Sequence, residues 1–110
     1  MQKLHQGDIV WLNFDPQAGH EEGKRRPALI ISGDSALALI KGLAVVCPIT
    51  SHSHRFPTHV ALDERTKTQG LILCEQCKSL DLDARDAKFI EKVPDDIVQE
   101  AVDIVHSLLD

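Results

Sequence analysis

The run Ala28-Leu29-Ile30-Ile31 holds four apolar residues with no polar alternation. A strand with one wet face alternates, so this one is expected to be buried on both faces. Leu43-Ala44-Val45-Val46-Cys47-Pro48-Ile49 reads as a second, central strand, with Pro48 marking its end or an edge. A chain of 110 residues has room for one modest core. Only one segment shows a long helical period. After the start signals Pro94-Asp95-Asp96, the residues Ile97, Val98, Ala101, Val102, Val105, Leu108 and Leu109 form one apolar stripe. That helix is expected to pack across the sheet with its acids in water.

The other elements are short. Ile9 to Phe14 is a strand closed by Asp15-Pro16. A polar connection over 17–26, with two glycines, is longer than a hairpin turn and is the kind of loop that carries function. Asp34 or Ser35 caps a short helix over 36–41, and Gly42 stops it. Further strands are expected at 59–62, 71–74, 78–82 and 88–93. The pattern predicts a mainly β fold with helices, a small, strongly bent sheet or partly open barrel forming a single domain over 1–110.

No apolar run approaches the ~20 residues of a membrane span, and the N-terminus lacks a secretory core. Three cysteines, an odd number, fit a reducing compartment, so a cytoplasmic protein is expected. Net charge is −5, but the acids Asp95, Asp96, Glu100, Asp103 and Asp110 account for all of it. The first 94 residues are neutral and carry every Lys and Arg. Screening limits distant charges to about 8–10 Å, so local basic clusters can still bind phosphate.

Cys74-x-x-Cys77 invites a metal or redox reading. No second paired ligand set accompanies it, and in a strand the two thiols would point to opposite faces. The cysteines are therefore read as core filling. His52, His54 and His59, beside Arg55, are either a solvated loop or a rim of donors for phosphate or bases. The stretch HEEGKRRP (20–27) is either a charged hairpin whose acids and bases pair, or a phosphate grip. In the second case Arg26, fixed beside Pro27 at the mouth of a buried strand, is suited to bidentate phosphate binding. His20 or Glu21 could then move a proton.

The order of GDIVWLNFDPQAGHEEGKRRPALIIS, VVCPITS, FPTHVALD and LCEQCKSLDLDARDAKFIEKVP closely resembles the MazF/PemK family of bacterial toxins. The resemblance implies an SH3-like, partly open barrel with a C-terminal helix, assembled as a homodimer. It implies a sequence-specific endoribonuclease, an mRNA interferase that inhibits translation and growth. Such an enzyme cuts single-stranded RNA without metal or other cofactor, leaving a 2′,3′-cyclic phosphate and a 5′-hydroxyl. Carried over, the catalytic candidates are Arg26, Thr50, Glu21, His20 and Glu75. Leu73 stands where the PemK branch has an arginine. Lys24, Arg25, Ser51, His54, Arg55, Gln76 and Lys78 are the candidates for RNA contact. Trp11, Phe14 and Phe56 are the aromatics near the groove, the first two equally able to fill a core.

The implied partner is a cognate antitoxin of the MazE/PemI type, covering the groove with an acidic, partly disordered segment. Two other readings remain open on the residues: a non-catalytic SH3-like docking module, and a gyrase-directed toxin of similar fold.

Overall fold

A computed structural model describes residues 3–15, 19–20, 24–52 and 54–110. The strands are β1 (Asp8–Asn13), β2 (Arg25–Ile30), β3 (Leu43–Thr50), β4 (His59–Ala61), β5 (Leu71–Leu73), β6 (Lys78–Asp81) and β7 (Lys88–Lys92). A short helix α1 (Asp34–Leu39) joins β2 to β3, and α2 (Asp95–Ser107) ends the chain. All pairing is antiparallel, in the order β4-β5-β3-β2-β1-β7, with β6 also on β3.

Connectivity forces this sheet to bend. Along the path β6-β3-β2-β1-β7, consecutive strands β6 and β7 sit four spacings apart, about 19 Å if flat. The connection between them is folded on itself by Arg85 N–H to Asp81 O (3.0 Å), Asp86 N–H to Asp83 O (3.1 Å) and Ala87 N–H to Leu82 O (2.9 Å). So compact a turn cannot cross a flat sheet. The sheet curls until the turn also meets β1, where Asn13 N–H donates to Arg85 O at 3.1 Å. The result is the expected bent, partly open barrel.

Alternation along the strands divides the interior in two. Val10, Leu12, Phe14, Ala28, Ile30, Ala44 and Val46 pack with Leu80 and Leu82 inside the curl. Ile9, Leu29, Ile31, Cys47 and Ile49 face the other way, against Ile97, Val98 and Ala101 of α2. Ala28 to Ile31 are thus buried on both faces, as their unbroken apolar run predicts. Helix α2 begins after Pro94 with Asp95 and Asp96 in its first turn, where carboxylates suit the helix dipole. Arg65 bonds both Asp63 and Asp96, tying the β4–β5 connection to that first turn.

Several boundaries differ from expectation. Pro48 does not end β3, which runs on to Thr50, with Pro48 opposite Ala28. The short helix starts at Asp34, and its cap position, Gly33, makes no side-chain bond. Asp34 instead accepts the Gln6 N–H at 2.9 Å. The apolar stripe of α2 outlasts its burial: Leu109 is 81% exposed. The expected strand over 71–74 stops at Leu73, and a one-turn 3-10 helix, Cys74–Gln76, replaces its end.

Candidate active site

Strand register builds the first half of the site. The β2–β3 ladder closes at Ala28–Pro48, with Arg26 two residues before Ala28 and Thr50 two residues after Pro48. Along each strand an even spacing keeps a side chain on the face of its paired residue. Arg26 and Thr50 line a shallow cleft of about 260 Å³ with Arg25, Pro27, Ile49, Ser51, His52 and Gln69. Thr50 is buried, and its Oγ1 accepts the His52 N–H at 3.2 Å, which leaves the hydroxyl proton to be donated. Beneath it runs Gly70, at φ +123°, where an added Cβ would meet the Thr50 carbonyl oxygen at 2.4 Å. Only glycine lets β5 approach Thr50 this closely.

The basic residues before Pro27 are not equivalent. Lys24 is exposed, in the left-handed region at φ +65°, and its N–H donates to Asp15 Oδ1 at 2.6 Å. Phe14 N–H donates to Lys24 O at 2.8 Å, so the chain is latched on both sides of the intervening loop. Arg25 lies over the Trp11 ring at 6.0 Å, and its Nη2 donates to the Asp86 carbonyl at 2.8 Å. Arg26 is half-buried on β2, beside Leu12 of β1. His20 is exposed, and Glu21 lies outside the described residues.

A second cluster forms around Glu75 and is not part of the cleft. Glu75 Oε1 accepts the Thr58 hydroxyl at 2.8 Å, and Oε2 lies 3.0 Å from His59 Nε2. Burial pulls the Glu75 carboxyl up, but hydrogen bonds from Thr58, from its own backbone and from His59 outweigh it. The group is held below its ordinary value. His59 is itself buried, with Nδ1 3.1 Å from the His54 carbonyl oxygen, so it joins Glu75 to the 51–56 loop. In that loop Ser51, His54 and Arg55 are exposed, and Phe56 is 61% exposed with its ring 6.0 Å from that of His59. Gln76 and Lys78 are half-buried, Lys78 with its ammonium 5.6 Å from the Phe14 ring. Phe14 is fully buried, whereas Trp11 is partly exposed.

The structure therefore gathers Arg25, Arg26, Thr50 and Ser51, and adds Gln69 and His52 to them. It sets Glu75 apart with Thr58 and His59. His59 faces Leu73 in the β4–β5 ladder, and Glu75 follows Leu73 by two. A strand register, had it been known, would have found that pair. A larger cleft of about 590 Å³ lies elsewhere, where Lys3, His5 and Lys41 stand with Asp34 and Asp83 around Leu4, Leu37, Leu43, Leu82 and Phe89.

A family model described as the PemK-like, MazF-like toxin of type II toxin–antitoxin systems matches residues 5–109. The chain belongs to this family. Among members of the PemK-like, MazF-like family, the endoribonuclease PemK of Escherichia coli is 34% identical over 110 residues, covering 96% of this chain and 82% of that one. The crystal structure of MazF from Deinococcus radiodurans superposes with a TM-score of 0.89 at 40% identity, covering 96% of each chain. A MazE–MazF complex from the same organism gives 0.82 at 40% identity, covering 96% of this chain and 95% of that one. Membership in the PemK-like, MazF-like family decides among the three readings that the motifs left open. As for location, no helix among the described residues is long and apolar enough to cross a membrane.

Proposed function

We propose that this chain is a toxin endoribonuclease that binds single-stranded RNA across the Arg26–Thr50 cleft and cuts it at specific sequences without a metal ion. The observation that carries this reading is that Arg26 and Thr50, from neighbouring strands, line one cleft. The RNA supplies its own nucleophile. Its 2′-hydroxyl loses a proton, the oxygen bonds the adjacent phosphorus, and the bond to the 5′-oxygen breaks as that oxygen gains a proton. The products are a 2′,3′-cyclic phosphate and a 5′-hydroxyl. Arg26 and the Thr50 hydroxyl grip the phosphate and stabilise the charge that grows on it. His20, Glu21 and Glu75 are the candidates for the 2′ proton, and the variants His20→Ala, Glu21→Gln and Glu75→Gln separate them.

Phe56 offers a face on which a base can stack. Ser51, His54, Arg55, Lys24, Gln76 and Lys78 supply polar contacts along the strand, and Arg25 lends charge to the cleft. A homodimer acting on mRNA in the cytoplasm, inhibited by an antitoxin whose acidic segment occupies this cleft, completes the reading. Incubating purified protein with a long RNA in EDTA and mapping the ends tests it. Discrete cuts bearing cyclic phosphate and 5′-hydroxyl ends are expected. Cleavage that EDTA abolishes, or that survives in Arg26→Ala, would overturn it.

A further inference from the structure

The cysteines are the one motif that RNA cleavage leaves unused, and the structure places them differently from a strand. β5 and β6 run along the same edge of β3 in two registers. Ile49 faces Ile72, whereas Val46 faces Lys78. Cys47 lies between those two ladders, and the three residues by which the registers differ are taken up by the 3-10 turn Cys74–Gln76. Cys47, Cys74 and Cys77 pack together in one core cluster, with the thiols of Cys74 and Cys77 both against that of Cys47.

The three thiols also differ in access. Cys47 and Cys74 are fully buried under α2, while Cys77 packs against the same core and is half-buried. Cys74 aims its Sγ at the Ile72 carbonyl, 3.9 Å away. Interaction with the Cys47 thiol draws Cys77 down to about 6, against burial and the nearby Glu75 charge. Cys47 is pushed up by the thiols of Cys74 and Cys77 and by burial. Cys77 is thus the thiol that ionises and meets solvent, and Cys47 the one that keeps its proton. Among the described residues no metal-holding cluster is formed, the cysteines included.

We propose that Cys77 and Cys47 form a peroxide-responsive pair whose disulfide displaces the turn carrying Glu75 and lowers RNA cleavage. The Cys77 thiolate attacks one peroxide oxygen. An S–O bond forms, the O–O bond breaks, and the departing hydroxide takes a proton to become water. The Cys47 sulfur then attacks the sulfenic sulfur. The S–S bond forms, the S–O bond breaks, and hydroxide leaves with the Cys47 proton as a second water. Two thiols give up two electrons and one peroxide accepts them. Contraction of the sulfurs to about 2.05 Å shifts the turn, and with it the Glu75 bonds to Thr58 and His59.

The effect on cleavage rests on the ribonuclease reading, whereas the bond itself does not. The test oxidises the full chain with hydrogen peroxide, maps disulfides in an unreduced digest, and measures RNA cleavage before and after dithiothreitol. An intramolecular Cys47–Cys77 link with Cys74 still reduced is expected. About a tenfold loss of cleavage should accompany it, reversed by dithiothreitol and absent in Cys77→Ser. In Cys74→Ala, which keeps both members of the pair, the Cys47–Cys77 link should still form. Three free thiols, a link through Cys74 or between chains, or Cys77 driven to a sulfinic acid would overturn the pair. Unchanged cleavage by the linked protein would overturn its effect on activity. Reduced protein that never cuts RNA would instead sink the ribonuclease reading, while the mapping still decides the pair.

Discussion

Arg26 and Thr50 are placed by two continuous strands, whereas Glu75 is placed by an interruption between two others. Arg26 is held by its pairing with Leu12 of β1 and Thr50 by its pairing with Leu71 of β5, just beyond the Ala28–Pro48 pair that joins their strands. Glu75 sits in the 3-10 turn where the β5 register gives way to that of β6, and it is steadied by Thr58, just before β4, and His59, the first residue of β4. A strand-built site resists substitution of its neighbours, because backbone pairing sets its geometry. A turn-built site depends on the few bonds that hold the turn. The two halves should therefore fail differently.

The largest effect should come from Arg26→Ala. Removing a preorganised donor to the transition-state charge costs about 10²–10³-fold in rate. Cleavage of a short RNA should fall by that factor while the melting temperature holds, since the strand register is unaltered. Thr50→Val should follow at about 10–100-fold, the worth of one hydrogen bond to a charged oxygen. If Thr50→Val costs as much as Arg26→Ala, the hydroxyl does more than grip the phosphate.

Arg26 was legible in the sequence because it stands beside Pro27 at the mouth of a buried apolar run, whereas Thr50 was reached only through the resemblance to the MazF/PemK family. The double burial of Ala28 to Ile31 and the stripe of α2 were legible because both are periodicities. The turn at Cys74–Gln76 was not. Leu71-Ile72-Leu73-Cys74 is as good a strand as any in the chain, and its interruption arises because β3 is long enough to pair with two strands in different registers. That is a property of the whole sheet. The union of His59 with Glu75, and of both later cysteines with Cys47, depends on the same non-local fact.

Gly70→Ala tests whether the strand-built half is as well supported as it looks. Its Cβ would lie 2.4 Å from the Thr50 carbonyl oxygen, and alanine is strained at φ +123°. A cost of about 1–3 kcal/mol corresponds to a melting temperature lower by about 5–15 °C in a domain of this size. Cleavage should fall too, by displacement of Thr50. Full stability in the Gly70→Ala variant would mean that β5 can retreat from β3 without harm, and that the contact does not fix Thr50.

The smallest effect separates the halves by acid. The Glu75 carboxyl is held below its ordinary value, so its contribution to the folded state is complete above the unfolded value of about 4.3. It is lost as pH falls through the lower folded value. Because the side chain is 35% exposed, solvent screens the pair and the change in global stability should be slight. The local change should be clear. Protonation removes the charge that the Thr58 hydroxyl and His59 face, so amide signals of Thr58, His59 and residues 74–77 should move together on titration from pH 6 to 3. Those of Arg26 and Thr50, whose positions rest on backbone pairing, should stay until the whole domain unfolds. Concerted movement of both sets would show that the turn and the strands are one unit, and that the cleft feels Glu75 through the β5 edge of β3.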